Sequence, residues 1–180
     1  QAAGYVQCFT RDHAAGPLCE VMAMIDDYRG GEGHEVQGVP VISFTYWQES
    51  LRNKPCFITV GNPKARRDIA ERLVRAGGEF VDFYADGVLC PDVPIGEGSY
   101  LHKTVCMLPN VVIGAHAQVM PFTVIGHDVR IGDYVTISSS ATISGHVIIE
   151  DEVFIGAGAV LNNGTERRPL VIGRGATVGL

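Results

Sequence analysis

Two histidines and an aspartate in the second half of the chain are the strongest candidates for chemistry. His127 and Asp128 are adjacent, and His146 follows Asp128 by eighteen residues. A histidine side chain has an unperturbed pKa near ~6.5, so it can accept a proton at neutral pH. Transfer of an acyl group from a thioester to an amine or a hydroxyl requires a general base of that kind. The simpler alternative is that His127 occupies an exposed corner without a role.

A six-residue repeat must position these side chains. An aliphatic residue recurs at every sixth position from Ile95 to Leu161. Two residues before each of these, after the first, stands Ser, Thr, Ala or Val. Residues two apart face the same side of a strand, so each repeat supplies a short strand with one small and one large inward residue. This period is typical of a parallel β-helix, whereas a β-sandwich needs strands about 8–12 residues apart. The aliphatic column is Ile95, Leu101, Met107, Ile113, Val119, Ile125, Ile131, Ile137, Ile143, Ile149, Ile155 and Leu161.

The repeat resembles the hexapeptide-repeat acyltransferases, and the residues around His127 narrow the resemblance. The segments 125–133, 143–147 and 154–159 look like the sugar acyltransferases of that group, which include sialic-acid O-acetyltransferases and N-acetyltransferases of nucleotide-linked amino sugars. The resemblance implies a left-handed coil with three repeats, or eighteen residues, per turn. It also implies a homotrimer, acetyl-CoA or another acyl-CoA as cosubstrate, and His127 as the general base at a subunit boundary.

An eighteen-residue coil predicts which residues stack. Gly145 should lie above His127 and His146 above Asp128, one strand spacing of ~4.8 Å away. Because Gly145 has no side chain, its backbone N–H should be open to a ligand, and in the resembling family that amide holds the thioester oxygen. Asp128 and His146 are expected to form a hydrogen-bonded pair, which either orients the base or only stabilises the corner.

Further residues are predicted to bind the acyl-CoA. The pantetheine arm is expected to lie against bare glycine corners, and arginines of a polar loop are expected to meet the phosphates. The alternative for any one of these arginines is a solvated loop. The predicted cofactor-binding residues are Gly145, His146, Gly156, Gly158, Arg167, Arg168 and Gly173, with Arg174 near the same loop.

The residues before the repeat predict a small parallel α/β unit. Apolar segments at 19–25, 39–43, 56–60 and 79–84 are predicted strands, residues 64–76 a helix, and residues 4–15 a short helix. We therefore predict a Rossmann-like, sugar-nucleotide-binding-like domain at 1–88, without its first strand, and a left-handed β-helix acyltransferase domain at 89–180. Compared with the resembling family, both termini look incomplete. The residues predicted to bind the sugar nucleotide, at the carboxyl ends of strands, are Asp26, Asp27, Gly61 and Asn62; the alternative for the acidic pair is a turn without a ligand.

Composition restricts the partners. A net charge of −6 disfavours nucleic acid and anionic membrane surfaces, and five scattered cysteines favour reduced thiols in a cytoplasmic protein. The histidines lack the spacing of the zinc ligands in the γ-carbonic anhydrases, which share the fold, so no metal is expected. The sequence thus predicts acetyl transfer from acyl-CoA to an amino or hydroxyl group of a sugar or nucleotide sugar. A truncated, non-catalytic β-helix trimer is the alternative.

Overall fold

The computed structural model describes residues 21–28, 33–84 and 93–179, and the backbone of residues 6–9. The chain divides into two compact units, which comprise residues 1–60 with 68–81 and residues 61–67 with 82–180. The predicted domain boundary between residues 88 and 89 lies outside the described residues and stays a prediction. No helix in the described part of the chain is long and apolar enough to cross a membrane.

The first unit is built on a five-stranded sheet with the order β3-β4-β2-β1-β5. Its centre is an apolar run, Val21–Ile25, whose last three residues are buried. A helical turn follows β4, and its Trp47 is fully buried. The strands are β1 (Val6–Phe9), β2 (Val21–Ile25), β3 (Glu35–Val36), β4 (Val39–Ile42) and β5 (Cys56–Ile58); the helices are α1 (Phe44–Tyr46), a π-helical turn (Trp47–Leu51) and α2 (Pro63–Arg75).

The helix α2 has the boundaries that its flanking residues predict. The Asn62 side chain accepts a hydrogen bond from the backbone N–H of Ala65 at 2.9 Å, which caps the first turn. Gly77 ends the helix with a φ of +80°, a conformation that a glycine adopts without a steric penalty. The predicted helix at residues 64–76 is therefore confirmed to within one residue at each end.

Two predictions for the N-terminal segment are wrong. The sequence predicts a short helix within residues 4–15, but Val6–Phe9 forms strand β1. It also predicts a parallel sheet, but β1 runs antiparallel to both of its neighbours, β2 and β5, while β2 and β4 are parallel. The backbone of β1 gains ladder hydrogen bonds on both sides, and such pairing overrides a weak local preference for helix.

The second unit is a stack of short parallel strands in three sheets. Their orders are β19-β16-β13-β10-β7-β6, β17-β14-β11-β8 and β18-β15-β12-β9, and we call them sheets A, B and C. The parallel β-helix is confirmed. The strands are β6 (Phe83–Tyr84), β7 (Tyr100–Leu101), β8 (Cys106–Met107), β9 (Val112–Ile113), β10 (Gln118–Val119), β11 (Val124–Ile125), β12 (Arg130–Ile131), β13 (Thr136–Ile137), β14 (Thr142–Ile143), β15 (Val147–Ile149), β16 (Phe154–Ile155), β17 (Val160–Leu161), β18 (Leu170–Ile172) and β19 (Thr177–Val178).

The strand register confirms the predicted stacking of residues eighteen apart. Ile125 pairs with Ile143, and Ile143 pairs with Leu161. Both columns of the repeat fill the core, because the large and the small inward residues are buried from Leu101 to Leu161. Outward residues such as Arg130 stay exposed.

Two backbone features recur at the corners of the coil. At most corners the third residue after an aliphatic column member has a left-handed conformation, for example Asp128 with a φ of 56° and His146 with a φ of 54°. The first residue after it lies against the next coil, and a Cβ at Gly126 would be 2.7 Å from the backbone nitrogen of Gly145. Glycine is therefore needed at Gly126 because the coils approach closely, while the turn itself is made two residues later.

The helix α2 contributes a buried arginine, Arg66, whose burial the sequence did not predict. Arg66 is fully buried, and its guanidinium donates to the backbone oxygens of His116 and Tyr134 and to the Thr136 hydroxyl, at 2.7–2.9 Å. Desolvation by burial lowers the pKa of Arg66 to about 10, so the side chain remains charged at neutral pH. Arg66 thus supplies the donors for several buried oxygens of the coil.

Candidate active site

The two candidate catalytic residues lie together at the corner between β11 and β12. His127 Nδ1 is 2.7 Å from Asp128 Oδ2. Asp128 has a left-handed backbone conformation, which brings its side chain to that of its neighbour His127. Asn110 lies in the coil below, and its side-chain amide donates a hydrogen bond of 3.0 Å to Asp128 Oδ1. The carboxylate is therefore held from two sides, and it holds one nitrogen of the imidazole.

This contact determines which ring nitrogen of His127 can act as a base. A carboxylate only accepts hydrogen bonds, so Nδ1 carries the proton and Nε2 keeps its lone pair. The hydrogen bond from His127, and then the one from Asn110, lower the pKa of Asp128 below its ordinary value. Asp128 is therefore ionised at neutral pH and fixes the imidazole in the tautomer that a general base needs.

Gly145 lies directly against the basic nitrogen, as the predicted stacking requires. A Cβ at Gly145 would be 2.7 Å from His127 Nε2 and 2.8 Å from Cε1. The backbone of Gly145 is not in the left-handed region, so its small size is required by the imidazole and not by the turn. The predicted stacking of Gly145 on His127 is confirmed.

The prediction that the Gly145 N–H is open is wrong for this structure. That N–H donates to Asn163 Oδ1 at 2.7 Å, and the Gly145 carbonyl accepts a hydrogen bond from Gly164 at 3.0 Å. Asn163 follows Gly145 by eighteen residues, at the start of the polar loop after β17. Extending the stacking from His127 through Gly145 by one more coil would have identified Asn163 from the sequence.

The predicted hydrogen bond between Asp128 and His146 is also wrong. His146 Nε2 is 4.0 Å from Asp128 Oδ2, beyond hydrogen-bonding distance, because the carboxylate turns towards His127 instead. The His146 ring meets the His127 ring edge-on, with the centroids 5.0 Å apart and the planes perpendicular. His146 therefore contacts His127 by ring packing and is not hydrogen-bonded to Asp128.

A cavity of about 420 Å³ opens beside Asp128 and His146. Its floor includes the outward side chains of Arg130 and Ile148 on sheet C, and its rim is the loop after β17. Most of its lining is polar, which suits a ligand with several hydroxyl groups. The lining residues are Asp128, Arg130, His146, Ile148, Thr165, Glu166 and Pro169.

The other predicted acyl-CoA residues do not all lie at this corner. Arg167 and Arg168 are in the loop beside the cavity, where residues 165–168 form a tight exposed turn. Gly156 and Gly158 lie at the corner between sheets A and B, and Gly173 lies at the corner between sheets C and A. Their role in binding stays a prediction.

Arg174 is engaged by neighbouring acidic residues. Its backbone N–H and its guanidinium contact three consecutive carboxylates, Glu150, Asp151 and Glu152. These ion pairs compete with any anionic ligand for the guanidinium. Arg174 is therefore a weaker candidate for a phosphate contact than Arg167 or Arg168.

The predicted sugar-nucleotide residues have structural partners of their own. In the first unit, Asp27 accepts hydrogen bonds from the Phe44 backbone and from Arg72; burial opposes its ionisation, but these two donors lower its pKa. The Asp26 carboxylate accepts from the Tyr28 N–H at 2.8 Å. Whether either aspartate contacts a ligand stays a prediction.

Gly61 and Asn62 belong to the second unit. The Gly61 carbonyl accepts a hydrogen bond from the Thr136 hydroxyl at 2.8 Å, while Asn62 caps α2. Both residues therefore have structural partners, and their substrate role stays a prediction.

Among the residues that the structure describes, His127, Asp128 and His146 form a group of side chains that could hold a metal ion. Their donor atoms lie within 4.8 Å of one another. The hydrogen bond between His127 and Asp128 accounts for the arrangement without an ion. The expectation of no metal stays a prediction.

The fold and this corner define a hexapeptide-repeat transferase. The family model of the bacterial transferase hexapeptide, six repeats, matches residues 110–145 and 128–163. A GDP-perosamine N-acetyltransferase of Escherichia coli O157:H7 is 32% identical over 156 residues, which cover 86% of this chain and 70% of the relative.

Solved structures agree with this assignment. WeeI from Acinetobacter baumannii AYE is 32% identical and has a TM-score of 0.77, with 88% of this chain and 74% of WeeI covered. The acetyltransferase domain of PglB from Neisseria gonorrhoeae FA1090, in complex with acetyl coenzyme A, shares the fold at 24% identity and a TM-score of 0.65, with 87% and 82% covered. The chain belongs to the hexapeptide-repeat family of sugar acetyltransferases, which confirms the family and the class of enzyme predicted from the sequence.

Proposed function

We propose that this chain transfers the acetyl group of acetyl-CoA to the amino group of a nucleotide-linked amino sugar, with His127 as the general base. The observation that carries the assignment is the contact of 2.7 Å between His127 Nδ1 and Asp128, which leaves Nε2 as the basic atom. The relative that acts as a GDP-perosamine N-acetyltransferase supports an amine as the acceptor over a hydroxyl. The complex of the PglB domain with acetyl coenzyme A supports the donor.

The reaction follows from the groups at this corner. The amine nitrogen of the sugar attacks the thioester carbonyl carbon, the carbon–sulfur bond breaks, and His127 Nε2 takes the proton that the nitrogen loses. That proton then passes to the departing thiolate, so the products are the acetamido sugar and CoA. Ionised Asp128 stabilises the imidazolium that forms in between.

The acceptor sugar occupies the cavity beside Asp128 and His146. Its volume of about 420 Å³ accommodates a hexose with part of its nucleotide. Arg130 can donate hydrogen bonds to hydroxyl and phosphate oxygens, and the Glu166 carboxylate can accept them from hydroxyl groups. Arg167 and Arg168 remain available for phosphates of either substrate.

The active protein is a left-handed β-helix that assembles as a homotrimer in the cytoplasm. The outer face of sheet B supports the assembly: Val124 and Val160 are 41% and 65% exposed and are two strands apart in the same sheet. Phe122, at the corner before Val124, is 66% exposed. Apolar surface of this kind marks a protein interface. Sedimentation of a monomer at micromolar concentration would contradict the trimer.

The test is thiol release from acetyl-CoA in the presence of a panel of nucleotide-linked amino sugars. His127→Ala is expected to lower kcat by ~10²–10⁴-fold while acetyl-CoA binding changes only a few-fold. His127→Asn should be nearly as inactive, because an amide cannot accept the proton. Turnover of His127→Ala above about a tenth of the wild-type value would exclude His127 as the base. A wild-type chain that releases no thiol with any sugar would favour the non-catalytic trimer.

A further inference from the structure

The Asp128 carboxylate uses its two oxygens on two different neighbours. Oδ1 accepts a hydrogen bond from the side-chain amide of Asn110 at 3.0 Å, and Oδ2 is 2.7 Å from His127 Nδ1. The same Oδ2 is 4.0 Å from His146 Nε2. Since a carboxylate only accepts hydrogen bonds, the amide nitrogen of Asn110 must face it. The rotation of the carboxylate therefore decides which of the two imidazoles it holds.

The coil itself does not require the hydrogen bond from Asn110. Asn110 and Asp128 are eighteen residues apart and have left-handed backbones, with φ values of 64° and 56°. Phe122 and Ser140 have the same spacing and φ values of 62° and 61°, yet a phenyl ring offers no polar group for a side-chain bond. The backbone of the corner is held separately, because the Asp128 N–H donates to the Pro109 carbonyl at 3.1 Å. The amide of Asn110 therefore acts on the carboxylate and not on the turn.

We infer that Asn110 is a positioning residue that commits the Asp128 carboxylate to His127 and thereby keeps the proton of the neutral imidazole on Nδ1. This inference rests on the proposed function, in which Nε2 is the basic atom. Asn110 lies in the coil below Asp128 and His146 in the coil above, so the hydrogen bond to Oδ1 opposes rotation of the carboxylate towards His146. Without that bond, the partly exposed carboxylate is free to leave Nδ1. The Nε2–H tautomer, which cannot accept a proton at Nε2, then becomes populated.

The test variant is Asn110→Gly, which removes the amide but keeps the left-handed backbone, since glycine adopts a positive φ without strain. The first measurement is nitrogen-15 NMR of the full chain with labelled histidine, without substrate and at a pH where the ring is neutral. The signals of His127 are those missing from His127→Ala. In the wild-type chain Nδ1 should have the chemical shift of a protonated ring nitrogen and Nε2 that of an unprotonated one. In Asn110→Gly the two shifts should move towards each other.

The second measurement is steady-state thiol release. Asn110→Gly should lower kcat by about 2- to 12-fold, the range expected for one hydrogen bond. The KM of each substrate should change by less than about 2-fold, because the amide acts through Asp128 and not on a substrate. In the Asp128→Gly background the carboxylate is missing, so adding Asn110→Gly should change kcat by less than about 2-fold. Ser140→Gly is the matched control, since it places a glycine at an exposed corner of the same conformation and should leave the His127 shifts and kcat at their wild-type values.

Two results would overturn the inference. Identical His127 shifts in the wild-type chain and in Asn110→Gly would show that the amide does not control the tautomer. A loss of kcat that persists in the Asp128→Gly background would show that Asn110 does not act through the carboxylate. Because the tautomer is measured without substrate, its outcome is separate from the proposed function. A wild-type chain that has the expected tautomer but releases no thiol with any sugar would remove the function and leave the positioning of His127 by Asn110 intact.

Discussion

Replacing Gly145 with alanine should inactivate the enzyme without unfolding it. The new Cβ would lie 2.7 Å from His127 Nε2 and 3.1 Å from Cδ2, whereas ordinary contacts begin near 3.4 Å. The imidazole must therefore move by several tenths of an ångström. Half of the His127 side chain is exposed, so the ring can swing outwards at little cost in stability. That movement breaks its alignment with Asp128 and removes Nε2 from the acceptor.

The expected loss follows from these displacements. A misplacement of about 1 Å at a reacting atom can cost ~10²-fold in rate, so Gly145→Ala should lower kcat by ~10- to 100-fold. The free energy of unfolding should fall by less than about 1 kcal/mol, because an exposed side chain moves and the backbone does not. Steady-state thiol release gives the first quantity, and urea unfolding gives the second. Gly179→Ala is the control, since a Cβ there meets nothing within 4 Å.

A double-mutant cycle decides whether the loss acts through His127. In the His127→Ala background the clashing ring is absent, so adding Gly145→Ala should reduce the residual activity by less than about 2-fold. A further loss of 10-fold or more in that background would refute the steric argument. It would instead assign the effect to the Gly145 peptide itself.

Two further predictions concern the interior of the second unit. Desolvation and the charge of Arg66 lower the pKa of His116 from 6.5 to about 4, so only the unfolded chain binds this proton between those values. His116 should therefore not affect the free energy of unfolding above pH 6.5, and it should lower that free energy by at most about 3 kcal/mol as the pH drops to 4. Denaturant titrations at several pH values measure this loss of stability. The loss should be absent in His116→Asn. Arg66→Leu should lower the free energy of unfolding by about 3 kcal/mol or more, because it leaves buried oxygens without their donor. Arg67→Ala breaks a partly exposed ion pair with Glu152 and should lower it by about 1 kcal/mol or less. Equal losses in the two variants would contradict the role of Arg66.

The fold of the second unit is predictable because one physical rule is repeated along it. A strand of a coil buries its inward pair only by stacking on the coils above and below, so each aliphatic residue must recur in register. Ile125, Ile143 and Leu161 are consecutive members of one stack for that reason. The same rule places Gly145 on His127, so this contact could be predicted from spacing alone.

Contacts that depend on a side-chain choice were not predictable in this way. Asp128 can reach either His127 or His146, and the spacing favours neither; the left-handed backbone at Asp128 decides for His127. Arg66 follows a helical pattern in which a charged residue normally faces water, so its burial depends on oxygens that are distant in sequence. Strand β1 depends likewise on partners on both sides, which a local pattern does not contain.

The chemistry of this corner is a consequence of the coil's own spacing. Two coils that are one strand apart leave no room for a Cβ between the imidazole and the next peptide, so a glycine is required at Gly145. The Gly145 N–H is directed to the next coil, where it donates to the Asn163 side chain. The residue one coil further on, Asn163, has a side chain of the length needed to satisfy the Gly145 N–H. His127, Gly145 and Asn163 are thus three successive members of one eighteen-residue stack, and a change at any one of them should be felt at the other two.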